Sequence, residues 1–79
     1  MRNLGPVSIN MLGMAGIESE LQLRTLGAVE AYRRVHQASD VKPSLNLLYA
    51  IEGALVDEPW QKIAQERKLS LLFQLEDKD

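Results

Sequence analysis

Apolar residues in this chain recur every three to four positions in short runs, and turn-forming residues separate one run from the next. This spacing places the apolar side chains of a run on one face of an α-helix, whereas a strand would alternate at every second position. The sequence contains no alternating run of β-branched residues and no internal repeat. The pattern therefore predicts an all-α fold, a compact bundle of about five short helices.

Glycine and proline mark the ends of the first helices. Pro6, preceded by Gly5, suits the first turn of a helix because the N–H that it lacks has no partner there. The spacing then predicts helix one over 6–15, followed by Gly16, where a left-handed residue ends a helix most easily. Gly27 interrupts the pattern again. We expect these glycines and the proline to be structural.

Two serines supply further helix starts. Ser19 and Gln22 match a capping box, in which each residue satisfies a backbone N–H of the other, and helix two is expected over 20–26. Ser44 is a good N-cap for a helix over 45–56. The first two helices and their turn predict an N-terminal half that is similar to a helix-hairpin-helix.

The later helices carry most of the apolar surface. The third helix has one apolar and one polar face, and the stretch 39–43 should form the turn after it. The helix over 45–56 is apolar around most of its circumference, so we expect it at the centre of the bundle. A last helix should follow Pro59, with Trp60 as a packing anchor, and residues 76–79 should fray.

The composition narrows the class of protein. A chain of 79 residues, 46% of them apolar, is expected to form one domain over 1–79 with a small core. No run approaches the about 20 apolar residues of a membrane span, and the N-terminus lacks the apolar part of a signal peptide, so we expect a cytoplasmic protein without membrane contact. The chain has no cysteine, and its net charge of −2 argues against a strong generic binder of polyanions.

Four separated strings resemble the C-terminal domain of the TfoX/Sxy proteins, and together they extend over nearly the whole chain. The strings are Asn3-Leu4-Gly5-Pro6-x-Ser8, Ala15-Gly16-Ile17, Leu23-Arg24-x-Leu26-Gly27-Ala28-Val29-x-Ala31-Tyr32 and Ser44-Leu45-Asn46-Leu47-Leu48-Tyr49-Ala50-x-Glu52-Gly53-Ala54-Leu55. Trp60, followed by a helix with Leu71 and Leu72, is also similar to that domain.

The resemblance implies membership of a bacterial family named for regulators of natural competence. Its full-length proteins act with a cyclic-AMP-responsive activator to switch on DNA-uptake genes. The implied fold is a compact helical domain with a helix-hairpin-helix-like front end. The sequence does not contain the N-terminal domain of the full-length regulators, so we expect a stand-alone copy of the C-terminal domain.

Two features are candidates for contact with nucleic acid. The turn at Gly16 and Ile17 could present backbone N–H groups to a DNA phosphate, although two glutamates flank it. Arg24, Arg33 and Arg34 form a basic cluster in the first half. Each feature has a structural alternative, in which the turn only ends a helix and Arg34 pairs with a glutamate four residues earlier.

Glu52 is the candidate for a structural ion pair. It shares a side of its helix with apolar residues, and a partly buried carboxylate needs a partner, for which we expect an arginine such as Arg24. The sole histidine, His36, has no ligand-type residue at metal spacing, so no metal site is expected. No nucleophile or cofactor motif is present, and we expect neither a cofactor nor enzymatic activity.

These observations favour a non-enzymatic protein-interaction domain in transcriptional regulation of the competence type, with a protein partner of unknown identity. The alternative is a direct DNA-binding, helix-hairpin-helix-like module. A homodimer is a further candidate assembly, since the chain has little core of its own.

Overall fold

The computed structural model describes residues 3–39 and 42–77, which form six α-helices and no strand. The helices are α1 (Pro6–Met14), α2 (Glu20–Leu26), α3 (Ala28–Ser39), α4 (Leu45–Val56), α5 (Trp60–Glu66) and α6 (Lys68–Asp77). The all-α class is confirmed, and the described part of the chain measures 29 × 28 × 21 Å. The expected number of about five helices is wrong by one.

The additional helix arises because the last predicted helix is divided at Arg67. The N–H of Arg67 bonds to the Ile63 carbonyl at 2.8 Å and ends α5, while its carbonyl accepts from the N–H of Leu71 at 3.0 Å and begins α6. Neither glycine nor proline marks this break. At the other end α6 includes Glu76 and Asp77, which were expected to fray, whereas Lys78 and Asp79 lie outside the described residues.

The turn after α1 has the predicted glycine cap. Gly16 has φ +84°, a conformation open to glycine without strain. Its N–H bonds to the Gly13 carbonyl at 3.0 Å, and the N–H of Ile17 bonds to the Leu12 carbonyl at 2.9 Å, which together form a Schellman motif. Leu12 and Ile17 are both buried, so the residue after the turn packs back onto the helix that has just ended.

The other predicted helix ends are also present. Ser19 Oγ accepts from the N–H of Gln22 at 3.1 Å, and Gln22 Oε1 accepts from the N–H of Ser19 at 3.1 Å, so the capping box is confirmed. Gly27, at φ +81°, donates its N–H to Leu23 at the end of α2 and accepts from Ala31 in the first turn of α3. One residue therefore both ends α2 and begins α3.

The core lies between α3 and α4. Seven residues of α4 are buried, as its apolar circumference predicts, and they are Leu47, Leu48, Tyr49, Ala50, Ile51, Gly53 and Ala54. Ser44 caps this helix as predicted, since its Oγ accepts from the N–H of Asn46 at 3.0 Å. Helix α3 packs against α1, α2, α4 and α6. Of the predicted turn over 39–43, Asp40 and Val41 lie outside the described residues.

Tyr32 connects α3 to the segment that leads into α4. Its side chain is fully buried, and its hydroxyl donates a hydrogen bond to the Pro43 carbonyl at 2.6 Å. Burial, and to a lesser extent the neighbouring Tyr49, raises the pKa of the Tyr32 phenol above its usual value. This side chain therefore stays neutral in the folded protein over a wider pH range than in the unfolded chain.

The Asn3 side chain connects the N-terminal segment to the start of α5. Asn3 donates from Nδ2 to the Glu58 carbonyl at 2.8 Å, and its Oδ1 accepts from the N–H of Trp60 at 3.3 Å, at the start of α5. Gly53 lies beneath this contact, where a Cβ would be 2.5 Å from Asn3 Nδ2 and 2.5 Å from the Glu58 oxygen. The segment before α1 can approach α4 this closely only because residue 53 has no side chain.

Candidate interaction surface

The three arginines considered for nucleic-acid contact all have partners within the protein. Arg24 lies 3.5 Å from a Glu20 carboxylate oxygen and donates to the Leu55 carbonyl at 3.1 Å. Arg34 pairs with Glu30 at 3.1 Å, as the structural alternative predicts. The guanidinium groups of Arg24 and Arg34 therefore lie beside carboxylates, which offset their positive charge.

Arg33 points away from its neighbour Arg34 and towards the end of α6. Its Nη2 donates to the carbonyls of Gln74 and Leu75, at a helix terminus whose last carbonyls have no partner within the helix. A cation at this end also offsets the negative pole of the helix dipole. Arg33 is thus part of the packing of α6 on α3.

The N–H groups of the turn between α1 and α2 are similarly engaged. Those of Gly16 and Ile17 donate to carbonyls of α1. The N–H groups of Glu18 and Ser19 both donate to Gln22 Oε1, at 2.6 and 3.1 Å. A phosphate at this turn would have to displace hydrogen bonds that already satisfy these donors.

The structure brings together only some of the residues that were predicted to contact nucleic acid. Gly16 and Arg34 line one shallow depression of about 350 Å³, beside the exposed Leu21. Arg24 and Arg33 do not line it.

A larger apolar groove lies between α1 and α2, and we refer to it as the α1–α2 groove. It encloses about 620 Å³. Its floor is formed by three buried side chains, Leu12, Ile17 and Leu23, and its rim includes the exposed Ile9 and Met14. Met14 is 65% exposed, so the rim presents apolar surface directly to solvent.

The charged residues among those that line this groove, Glu18 and Glu20, are both acidic. Glu20 forms an ion pair with Arg24, and Glu18 is exposed at the turn. The groove was not predicted from the sequence, although α1 carries a signal for it: its apolar residues lie on more than one side of the helix, and Val7 is 73% exposed. An apolar floor with an acidic rim is suited to a partner that is itself apolar and basic.

Glu52 forms the predicted structural ion pair, but with a different arginine. Its Oε2 lies 2.5 Å from Arg67 Nη1, and its side chain is 17% exposed against 50% for Arg67. The expected pairing with Arg24 is wrong, because Glu20 and the Leu55 carbonyl already hold that guanidinium. The ion pair instead connects α4 to the junction of α5 and α6.

The remaining candidates lie apart from the groove. Trp60 is half-buried against the core, as expected of a packing anchor, and His36 is exposed on α3. In residues 3–39 and 42–77, no cluster of three acidic, histidine or cysteine side chains could hold a metal ion. None of the described helices is long and apolar enough to cross a membrane.

The chain is similar to a known protein family. The model of the TfoX C-terminal domain matches residues 1–75 of the 79-residue chain. No curated protein and no solved structure matches the chain.

Proposed function

We propose that this chain, which belongs to the TfoX C-terminal domain family, is a non-enzymatic domain that regulates transcription by binding another protein. The role that we propose is regulation of the competence type, in the cytoplasm. It follows from the resemblance of this chain to the C-terminal domain of the full-length regulators, which act together with a transcriptional activator.

The observation that carries this proposal is the α1–α2 groove. Protein interfaces have an apolar centre and a polar rim, and the groove combines a floor of buried leucine and isoleucine with the carboxylates of Glu18 and Glu20. Its partner is a protein segment that carries an apolar side chain next to lysine or arginine. The most direct mode is an amphipathic helix laid into the groove.

The proposed non-enzymatic role draws support from the candidate reactive groups. The partly buried carboxylate of Glu52 is paired with Arg67 and lies on α4, away from the α1–α2 groove. His36 is exposed on α3 and does not line the groove either. The groove therefore offers binding contacts without a general acid or base beyond its two rim glutamates.

Site-specific photo-crosslinking in cells tests the proposal. A photoreactive amino acid at Met14, on the groove rim, should give an adduct with a transcriptional regulator, and the same residue at His36 should not. The variant Glu18→Lys reverses one rim charge and should abolish the adduct. Equal crosslinking from both positions, or an adduct that survives the charge reversal, would contradict binding at the groove.

The second candidate, direct DNA binding through a helix-hairpin-helix-like front end, is favoured by one observation. Gly16 and Arg34 line the same depression. Against it, three arginines already have intramolecular partners, and affinity for DNA depends mainly on cations that neutralise phosphates.

Fluorescence anisotropy of a labelled DNA duplex at low and moderate salt decides between the two candidates. Protein binding predicts no DNA binding even at low salt. A salt-sensitive affinity that is lost in Arg34→Gln would instead establish the DNA-binding function. Arg34 is the appropriate substitution, since removing Arg33 would also disturb the end of α6.

A further inference from the structure

Helix α6 presents an apolar face that no other described helix covers. Leu69 is 81% exposed and Phe73 is 69% exposed, and these residues are four apart, so they are neighbours on the helix surface. The opposite side of α6 is the packed one, where Leu71 is buried and Leu75 is half-buried against the core.

The charged residues near the two ends of α6 have the opposite signs from those that a helix dipole favours. Lys68 is the first residue of α6, and Glu76 lies in its last turn; both side chains are exposed. A lysine at the N-terminus and a glutamate near the C-terminus both oppose the helix dipole, so this arrangement is unfavourable for α6 alone.

The positions of Lys68 and Glu76 would also bring opposite charges together if two copies of α6 packed antiparallel. Lys68 lies four residues before Leu72, and Glu76 lies four residues after it, on the same flank of the Leu69 and Phe73 pair. A two-fold axis that passes near Leu72 therefore brings Lys68 of one copy opposite Glu76 of the other. The apolar pair is centred within one residue of the same point.

We propose that the protein forms a two-fold homodimer in which α6 of one copy packs antiparallel against α6 of a second copy. Leu69 and Phe73 form the apolar contact, and Lys68 of each copy faces Glu76 of the other. The dimer uses residues that do not line the α1–α2 groove, so it is independent of the function proposed above.

The size of the face sets the strength of the dimer. A helix of ten residues is about 15 Å long, so two such faces bury less than the roughly 1,200 to 2,000 Å² of a standard interface. The dimer is therefore a weak one whose population depends on protein concentration.

Sedimentation equilibrium of the full chain tests this inference. The weight-average mass should rise from 8.9 kDa towards twice that value as the concentration increases. The double variant Leu69→Ser/Phe73→Ser should stay monomeric, whereas Leu21→Ser, which replaces a leucine that is 74% exposed on α2, should behave as the parent. Circular dichroism establishes that each variant is folded.

Charge reversal tests the antiparallel register. Lys68→Glu and Glu76→Lys should each weaken dimerisation about tenfold or more, because each places like charges opposite one another twice per dimer. The double reversal Lys68→Glu/Glu76→Lys should restore it. A constant mass of 8.9 kDa at all concentrations up to about 1 mM would overturn the dimer.

Two further outcomes would also overturn it. The α6 interface is wrong if the Leu69→Ser/Phe73→Ser protein still dimerises, and the antiparallel register is wrong if the double reversal fails to restore association. Crosslinking from Met14 does not depend on the α6 face. Loss of the dimer and loss of the groove partner are therefore distinguishable results.

Discussion

Gly53 is a residue at which one added methyl group should disturb packing. Its missing side chain leaves room for the Asn3 amide and the Glu58 carbonyl, and the Glu58 oxygen belongs to the backbone and cannot move as a flexible side chain could. A glycine inside a helix usually lowers helix stability. At this position the glycine is required by the close approach of another segment.

We expect Gly53→Ala to lower the free energy of unfolding by about 1 to 3 kcal/mol, because the added methyl group would lie 2.5 Å from the Glu58 carbonyl oxygen, so the backbone after α4 has to shift as well as the Asn3 amide. Chemical denaturation of the two proteins measures the difference. Gly13→Ala is the matched control, since nothing lies within 4 Å of a Cβ there. That substitution, inside α1, should instead stabilise the protein by about 0.5 to 1 kcal/mol. Equal effects of the two changes would show that the Asn3 contact does not restrict residue 53.

At the scale of the elements, helix ends that carry a local signal were predictable and the others were not. Ser19, Ser44 and Gly16 each act on residues within a few positions of themselves, so their sequence context is sufficient. The break at Arg67 has no such signal, because apolar residues continue at helical spacing on both sides of it. Only the packing of α5 and α6 against different neighbours reveals it.

The position of α6 depends on a contact that lies between elements. Arg33 reaches from α3 to the last carbonyls of α6, and a hydrogen bond from a charged donor contributes more than a neutral one. Arg34, the next residue, makes only an exposed pair with Glu30 on its own helix. Two adjacent arginines thus have different roles.

We expect Arg33→Gln to lower the free energy of unfolding by about 1.5 to 3 kcal/mol, the range for a hydrogen bond to a charged group. Amide hydrogen exchange should also accelerate in α6 more than in α4. Arg34→Gln, the control, should cost only about 0.2 to 0.5 kcal/mol, as exposed pairs within a helix do. If both variants were equally stable, Arg33 would not anchor α6.

For the whole molecule, the contacts that the sequence could not predict are those between distant residues. Asn3 and Trp60 are 57 positions apart, and Glu52 meets Arg67 across 15. The apolar pattern indicates the buried faces of α3 and α4, whereas α1 and α6 leave apolar side chains exposed, and it does not show which polar side chains meet. The apolar surface of α1 is a sequence signal for the α1–α2 groove, but the groove itself depends on the angle between two helices.

The stability of the whole domain should fall at alkaline pH because of Tyr32. Its pKa is raised in the folded state, so the folded protein keeps a proton that the unfolded chain loses above a pH of about 10. Stability is fully present below that pH and is lost as the pH rises towards the raised value. A domain of this size is expected to unfold as one unit, so the effect should appear in its overall melting temperature.

Thermal unfolding between pH 7 and pH 11 measures this dependence. Tyr32→Phe should be less stable at pH 7, where the bond to the Pro43 carbonyl is lost, by about 1 kcal/mol. Its melting temperature should then fall less steeply above pH 10 than that of the parent. Parallel curves for the two proteins would assign the alkaline transition to other groups.

The joint at Gly27 limits how the length of this domain can vary. Since α2 and α3 share that single residue, no slack separates them. One residue inserted here would break the two hydrogen bonds that Gly27 makes to α2 and α3 and would displace α2, whose Leu23 is now 1% exposed in the core. Insertions, natural or engineered, should therefore not be tolerated at this joint. A glycine between two helices would otherwise be typical of a loop that accepts them.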